Sequence, residues 1–213
     1  MIRRVLTPLE ARIVAVLVEK AATVPDTYPL SLNALCAGCS QKTAREPVMA
    51  VTEPDALAAI GELKALSLVV EVSGSRITRF EHNLGRVLGV PGAAVALLST
   101  LMLRGPQTAA ELRLHAERLH RFADVSSVEG FLDEMADKAE PLVRRLPRAP
   151  GAREARWAHL LCGEPVLPAA PAGGAAVAPA DAGLAEEVAV LRAEVAELRG
   201  QIARLAASLG VEP

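Results

Sequence analysis

Apolar and polar positions along this chain alternate at two periods, and the change from one to the other marks its elements. Leu9, Ile13, Val16, Leu17 and Lys20 lie on one helical face. They follow Thr7-Pro8-Leu9-Glu10, a capping box with proline in the first turn, which predicts an amphipathic helix over 8–21. Pro25 and Pro29 hold an extended connector around Tyr28, and Ser31 caps a short second helix to about Ala37. Residues 38–52 are irregular. Thr52 caps a third helix with Pro54 in its first turn, and Leu57, Ile60, Leu63 and Leu66 are expected to face the core. The period then drops to two, predicting strands over 68–72 and 77–81 joined by a hairpin at 73–76.

The same order recurs over 86–162. A helix over 92–103 is closed by Gly105, and Thr108 with Glu111 opens a second. A third starts at Ser126-Ser127-Val128-Glu129 and turns Val128, Phe131, Leu132 and Met135 inward. Strands over 142–146 and 156–161 complete the unit. Three helices and a β-hairpin, twice over, predict a mainly α chain with small β-hairpins: two tandem winged-helix domains, 1–85 and 86–162. Residues 163–180 are a linker of Ala, Pro and Gly. Beyond it, Leu184, Leu191, Leu198 and Leu205 fall seven apart, interleaved with Val188, Val195, Ile202 and Leu209. That a/d seam predicts a coiled-coil helix over 181–210 and a parallel homodimer, with Glu187 facing Arg192 and Glu194 facing Arg199 of a second copy. The competing reading is a helix docked on its own domain.

Composition narrows the class. With 23 Lys+Arg against 25 Asp+Glu the chain is near neutral, unlike a coat protein that is basic throughout. Its five aromatics are scattered, which disfavours a stacking platform for single strands. No leader or membrane-spanning stretch is read, and three cysteines make no disulfide framework, so a cytoplasmic protein with no membrane association is expected. Charge by segment says more: residues 86–162 hold eleven basic and nine acidic groups, and residues 163–213 hold three and seven.

Long motifs carry a family resemblance. Tyr28-Pro29-Leu30-Ser31-Leu32-Asn33, the run from Cys39 to Val48, Arg104-Gly105-Pro106-Gln107-Thr108 and the segment from Leu146 to Trp157 together resemble the bacterial YceH family. Ser40 and Ala44 stand where that family has asparagine. The resemblance implies a tandem winged-helix fold and no established activity.

Chemistry is sparse. Cys36 and Cys39 form a lone CxxC with no second ligand pair, so a zinc- or thiol-dependent enzyme is the weakest of three readings. His115 and His120, five apart on one helix, do not share a face. No P-loop, dinucleotide fingerprint or hydrolase motif is found, so no enzyme, no metal and no cofactor are expected. The third helices carry Glu53, Asp55 and Glu62, and Glu129, Asp133, Glu134 and Asp137, which repel phosphates. Positive charge gathers instead at Arg144, Arg145, Arg148, Arg153 and Arg156 in the second wing and at Lys42 and Arg45 in a loop. These residues are the candidates for backbone contacts to duplex DNA in a regulatory dimer. The alternative is a protein-interaction scaffold that binds no DNA.

Overall fold

A computed structural model describes residues 4–72, 77–149 and 151–165. Met1–Val166 form one compact unit; the heptad residues Leu184, Val188, Leu191, Val195, Leu198, Ile202, Leu205 and Leu209, and most of the expected linker, lie outside the described residues. The described chain is mainly helical, with small antiparallel strand pairs.

Helix α1 (Pro8–Thr23) starts at the expected box: Glu10 N–H donates to Thr7 Oγ1, and Thr7 N–H to Glu10 Oε2. Arg4 grips the same carboxylate at 2.6 and 2.8 Å. The short strand β1 (Leu30–Ser31) follows, and Ser31 then caps α2 (Leu32–Cys39). Thr52 caps α3 (Glu53–Ala65). Strands β2 (Val69–Val72) and β3 (Arg79–His82) form the first hairpin, with Val69 opposite His82 and Glu71 opposite Phe80. The sheet order is β1-β3-β2, so the two-residue strand closes the sheet against β3.

A short helix, α4 (Leu84–Leu88), leads into α5 (Gly92–Arg104), whose positions from Ala93 to Leu103 are all buried. A helix apolar on every side belongs inside a core, and α5 packs there against α1. Both halves of the chain therefore contribute to one hydrophobic core that runs across residue 85. Leu6 N–H reinforces this by donating to Leu161 O at 2.7 Å.

The second half continues with α6 (Ala109–His115), α7 (Val125–Ala136), β4 (Val143–Arg145) and β5 (Trp157–His159). Its counterpart of β1 is a single bridge from Gln107 to Trp157. Around the second helix and the last strand of each half, positions match at a separation of 77: Pro29 with Pro106, Ser31 with Thr108, Leu35 with Leu112, Arg79 with Arg156, Phe80 with Trp157, and His82 with His159. The bonds repeat as well. Arg79 Nη1 donates to Pro29 O at 2.7 Å, and Arg156 Nη1 to Pro106 O at 2.8 Å.

Two expectations are corrected. Helix α7 is capped by Asp124 rather than by a serine two residues later; Asp124 and Ser127 exchange the capping-box bonds. Leu57 does not face the core: Ala56, Ile60 and Leu63 form the buried stripe of α3, and Leu57 is 51% exposed.

Candidate nucleic-acid interface

The second hairpin sets the geometry. Its register places Arg145 opposite Trp157 and Arg144 opposite Ala158, and alternation along a strand sends Arg144 and Arg145 to opposite faces. Trp157 is held by two backbone bonds to Gln107, at 2.7 and 3.1 Å, and is buried. The Arg145 guanidinium sits 6.0 Å from the centre of its ring, at the outer limit of a cation–π contact. Arg145, Arg148 and Arg153 line one cleft of about 220 Å³ together with Trp157, Glu129 in the second turn of α7, and Glu154. No ion pair to these three arginines is found among the described residues.

The other candidates are placed differently. Arg144 pairs with Glu164, both side chains more than half exposed. Arg156 is turned toward α6, donating to Pro106 O and, at 3.1 Å, to Glu111 Oε1. Lys42 is exposed on the loop between α2 and α3. Arg45 is not available at the surface. Its side chain is buried, paired with Glu19 at 2.6 Å, and donates to Gly38 O, Ala44 O and Gln41 Oε1. Burial pushes the Glu19 carboxyl up, but the Arg45 guanidinium outweighs it and holds Glu19 below the usual carboxylate range.

Arg12 explains why that loop is so fixed. Buried within α1, it donates to Cys39 O at 3.2 Å and to Pro47 O at 2.7 Å, so it bridges the two ends of the loop. Glu46 N–H reaches Leu103 O on α5 at 2.7 Å, and the Glu46–Pro47 peptide is cis. The run from Gln41 to Pro47 is thus a clasp that ties the loop to both long helices. In this clasp only Lys42 retains a free cationic head among the described residues.

The third helices keep their acidic outer faces. Glu53, Asp55 and Glu62 are exposed on α3, where Lys64 is engaged by Glu71 and Glu62 by Arg4. Glu129, Asp133 and Glu134 are exposed on α7, and Asp137 is exposed at its C-cap. Cys39 is fully buried and its thiol is pushed up to about 12 by burial, so it packs as a small apolar residue. Cys36 is buried beside it in α2. His115 Nδ1 meets Gln107 Oε1, and His120 packs edge-on against Phe122 at 4.7 Å. Among the described residues, no group of three His, Cys, Asp or Glu side chains is positioned to hold a metal, and no helix is long and apolar enough to cross a membrane. Trp157 and Glu129 were missed as members of the cleft by sequence reasoning; the hairpin register was the signal that would have found Trp157.

Comparison with known proteins gives a family and no activity. A UPF0502 protein of Leptothrix cholodnii is 71% identical over 187 residues, covering 88% of this chain and 84% of the relative. A UPF0502 protein of Burkholderia orbicola is 71% identical over 161 residues (76% and 68%), and one of Methylibium petroleiphilum is 70% identical over 173 residues (81% and 74%). Residues 6–152 match the family described as "Protein of unknown function, DUF480", and the chain belongs to that family.

Proposed function

We propose that this chain is a non-enzymatic, DNA-associated regulatory protein with two tandem winged-helix modules, akin to the YceH family, that contacts the phosphate backbone through its second wing. The module assignment rests on the order α1-β1-α2-α3-β2-β3 with sheet order β1-β3-β2, and on its counterpart from α5 to β5 with the Gln107 bridge. The observation that carries the functional reading is the convergence of Arg145, Arg148 and Arg153, without ion-pair partners among the described residues, on one cleft in the second wing. Guanidinium groups in that state are matched to phosphate oxygens. The acidic outer faces of α3 and α7 oppose insertion into a groove, so the contacts are to backbone and carry little base information. Arg144, Arg156 and Lys42 are peripheral in this reading, and Arg45 drops out of it.

The protein acts in the cytoplasm as a homodimer through the heptads of 181–210, which present two wings to one duplex and multiply a weak contact. Light scattering on the full chain gives about twice the 22.3 kDa chain mass. Removal of residues 181–213 gives the monomer; a monomeric full-length chain would refute the dimer. The DNA reading is tested by anisotropy titrations of a labelled duplex at several salt concentrations, with wild type and with Arg148→Ala/Arg153→Ala. Absence of binding at low salt overturns it.

A further inference from the structure

We infer that the groove between α2, α3 and the first hairpin docks a cationic, apolar segment of a partner protein. The groove has a volume of about 600 Å³. Ile60 and Phe80, both almost fully buried, reach its floor from α3 and β3. Leu57 and Ile77 also line it and are exposed at 51% and 59%. Large aliphatic side chains left in water along one continuous groove mark a surface that a partner covers.

Charge selects the occupant. Of the ionisable groups lining the groove, Lys64 is neutralised by Glu71, which leaves Glu53. Asp55 extends the negative character along the exposed side of α3, where Glu62 is engaged by Arg4. An anionic lipid or a nucleic acid is repelled by that rim. So is the chain's own segment 163–213, with three basic and seven acidic groups. A second copy presenting the same face places like charges against each other in a two-fold contact. What remains complementary is a peptide that carries aliphatic or aromatic anchors for the groove and Lys or Arg beside them for Glu53 and Asp55. Anchors in alternate pockets and charges at the rim are how short segments are recognised in such grooves.

This inference is independent of the arginine cleft, because it uses another surface and the opposite charge. Random dodecapeptides displayed on phage are panned on the full-length protein, and selected peptides are then titrated by anisotropy. The expected peptides carry two apolar anchors flanked by Lys or Arg. Leu57→Ala weakens them at least tenfold, and Glu53→Lys weakens them severalfold at low salt and less at high salt. Because Leu57 is half exposed, its truncation leaves the chain folded, with a far-UV circular dichroism spectrum like that of wild type, so lost binding reports the groove and not the fold. Duplex binding by Leu57→Ala matches wild type. No enrichment, an acidic consensus, or undiminished binding to Leu57→Ala overturns the inference. Self-association of the full chain that disappears in Leu57→Ala also overturns it, and assigns the groove to a second copy.

Discussion

Replacing Arg45 by methionine removes a cation whose side chain is fully buried, and with it every bond that the clasp makes to Glu19, Gly38, Ala44 and Gln41. Glu19 then keeps its charge in a site where its side chain is only 17% exposed. Breaking a buried pair by deleting one partner costs about 3–5 kcal/mol, because the survivor is left desolvated. Glu19 retains some water and also pairs with Lys20 at 3.1 Å, so the lower end, about 3 kcal/mol, is expected. Neutralising the survivor relieves the strain. The double variant Arg45→Met/Glu19→Gln is therefore more stable than Arg45→Met alone, by about 1 kcal/mol or more. Urea unfolding of the full chain, followed by circular dichroism, measures both. The pH dependence supplies a further check. Because Glu19 is held below its ordinary value, its contribution is present above that value and is lost as pH falls through the folded one. In Arg45→Met the burial is left without its counterweight, so that loss begins at higher pH. A loss smaller than about 1 kcal/mol, or an Arg45→Met protein that is stable but has lost a phosphate contact, would refute the clasp and return Arg45 to the proposed DNA contacts.

Three more outcomes follow, two from the packing and one from a half-buried imidazole. At Gly38 an added Cβ comes 2.7 Å from Val16 Cγ1, so Gly38→Ala destabilises by about 1–3 kcal/mol. In Gly130→Ala within α7 the Cβ meets nothing within 4 Å, and denaturant unfolding shows a gain of about 0.5–1 kcal/mol. Burial lowers His159 from 6.5 to about 4, and its Nδ1 has no hydrogen-bond partner among the described residues. The neutral ring is favoured by folding, so stability is full above 6.5 and falls as pH drops from there toward 4. Over that window the loss is about 3 kcal/mol, at about 1.4 kcal/mol per pH unit. His159→Gln flattens that limb in pH-resolved thermal melts; an unchanged slope contradicts the assignment.

The helices were legible because their starts carry explicit chemistry. Thr7 with Glu10, Ser31, Thr52, and Thr108 with Glu111 all cap where the side-chain pattern put them. Strand β1 was not legible, since two residues have no periodicity and their pairing with β3 is purely main-chain. Leu57 was misread because a leucine one position from the true stripe looks like part of it; the small Ala56 is what lets α3 approach the core. Arg45 was misread for a different reason. Residue type reports a charge, and only the fold reports that the charge is buried against a glutamate 26 positions away. By contrast, the 77-residue repeat was present in the sequence, in Pro29/Pro106, Ser31/Thr108 and Arg79/Arg156. With the bonds in hand, it makes Arg156 the equivalent of a residue that ties its hairpin to the preceding loop, and so separates it from Arg145, Arg148 and Arg153.

The salt dependence of duplex binding bears most directly on the proposed role of the arginine cleft. Each phosphate contact adds about 0.9 to the slope of log affinity against log salt. Removing Arg148 and Arg153 together is therefore expected to flatten that slope by about 1.8, while Lys64→Ala on the acidic face of α3 leaves it unchanged. A slope that is the same in wild type and in Arg148→Ala/Arg153→Ala, or no binding of duplex at low salt, contradicts the account.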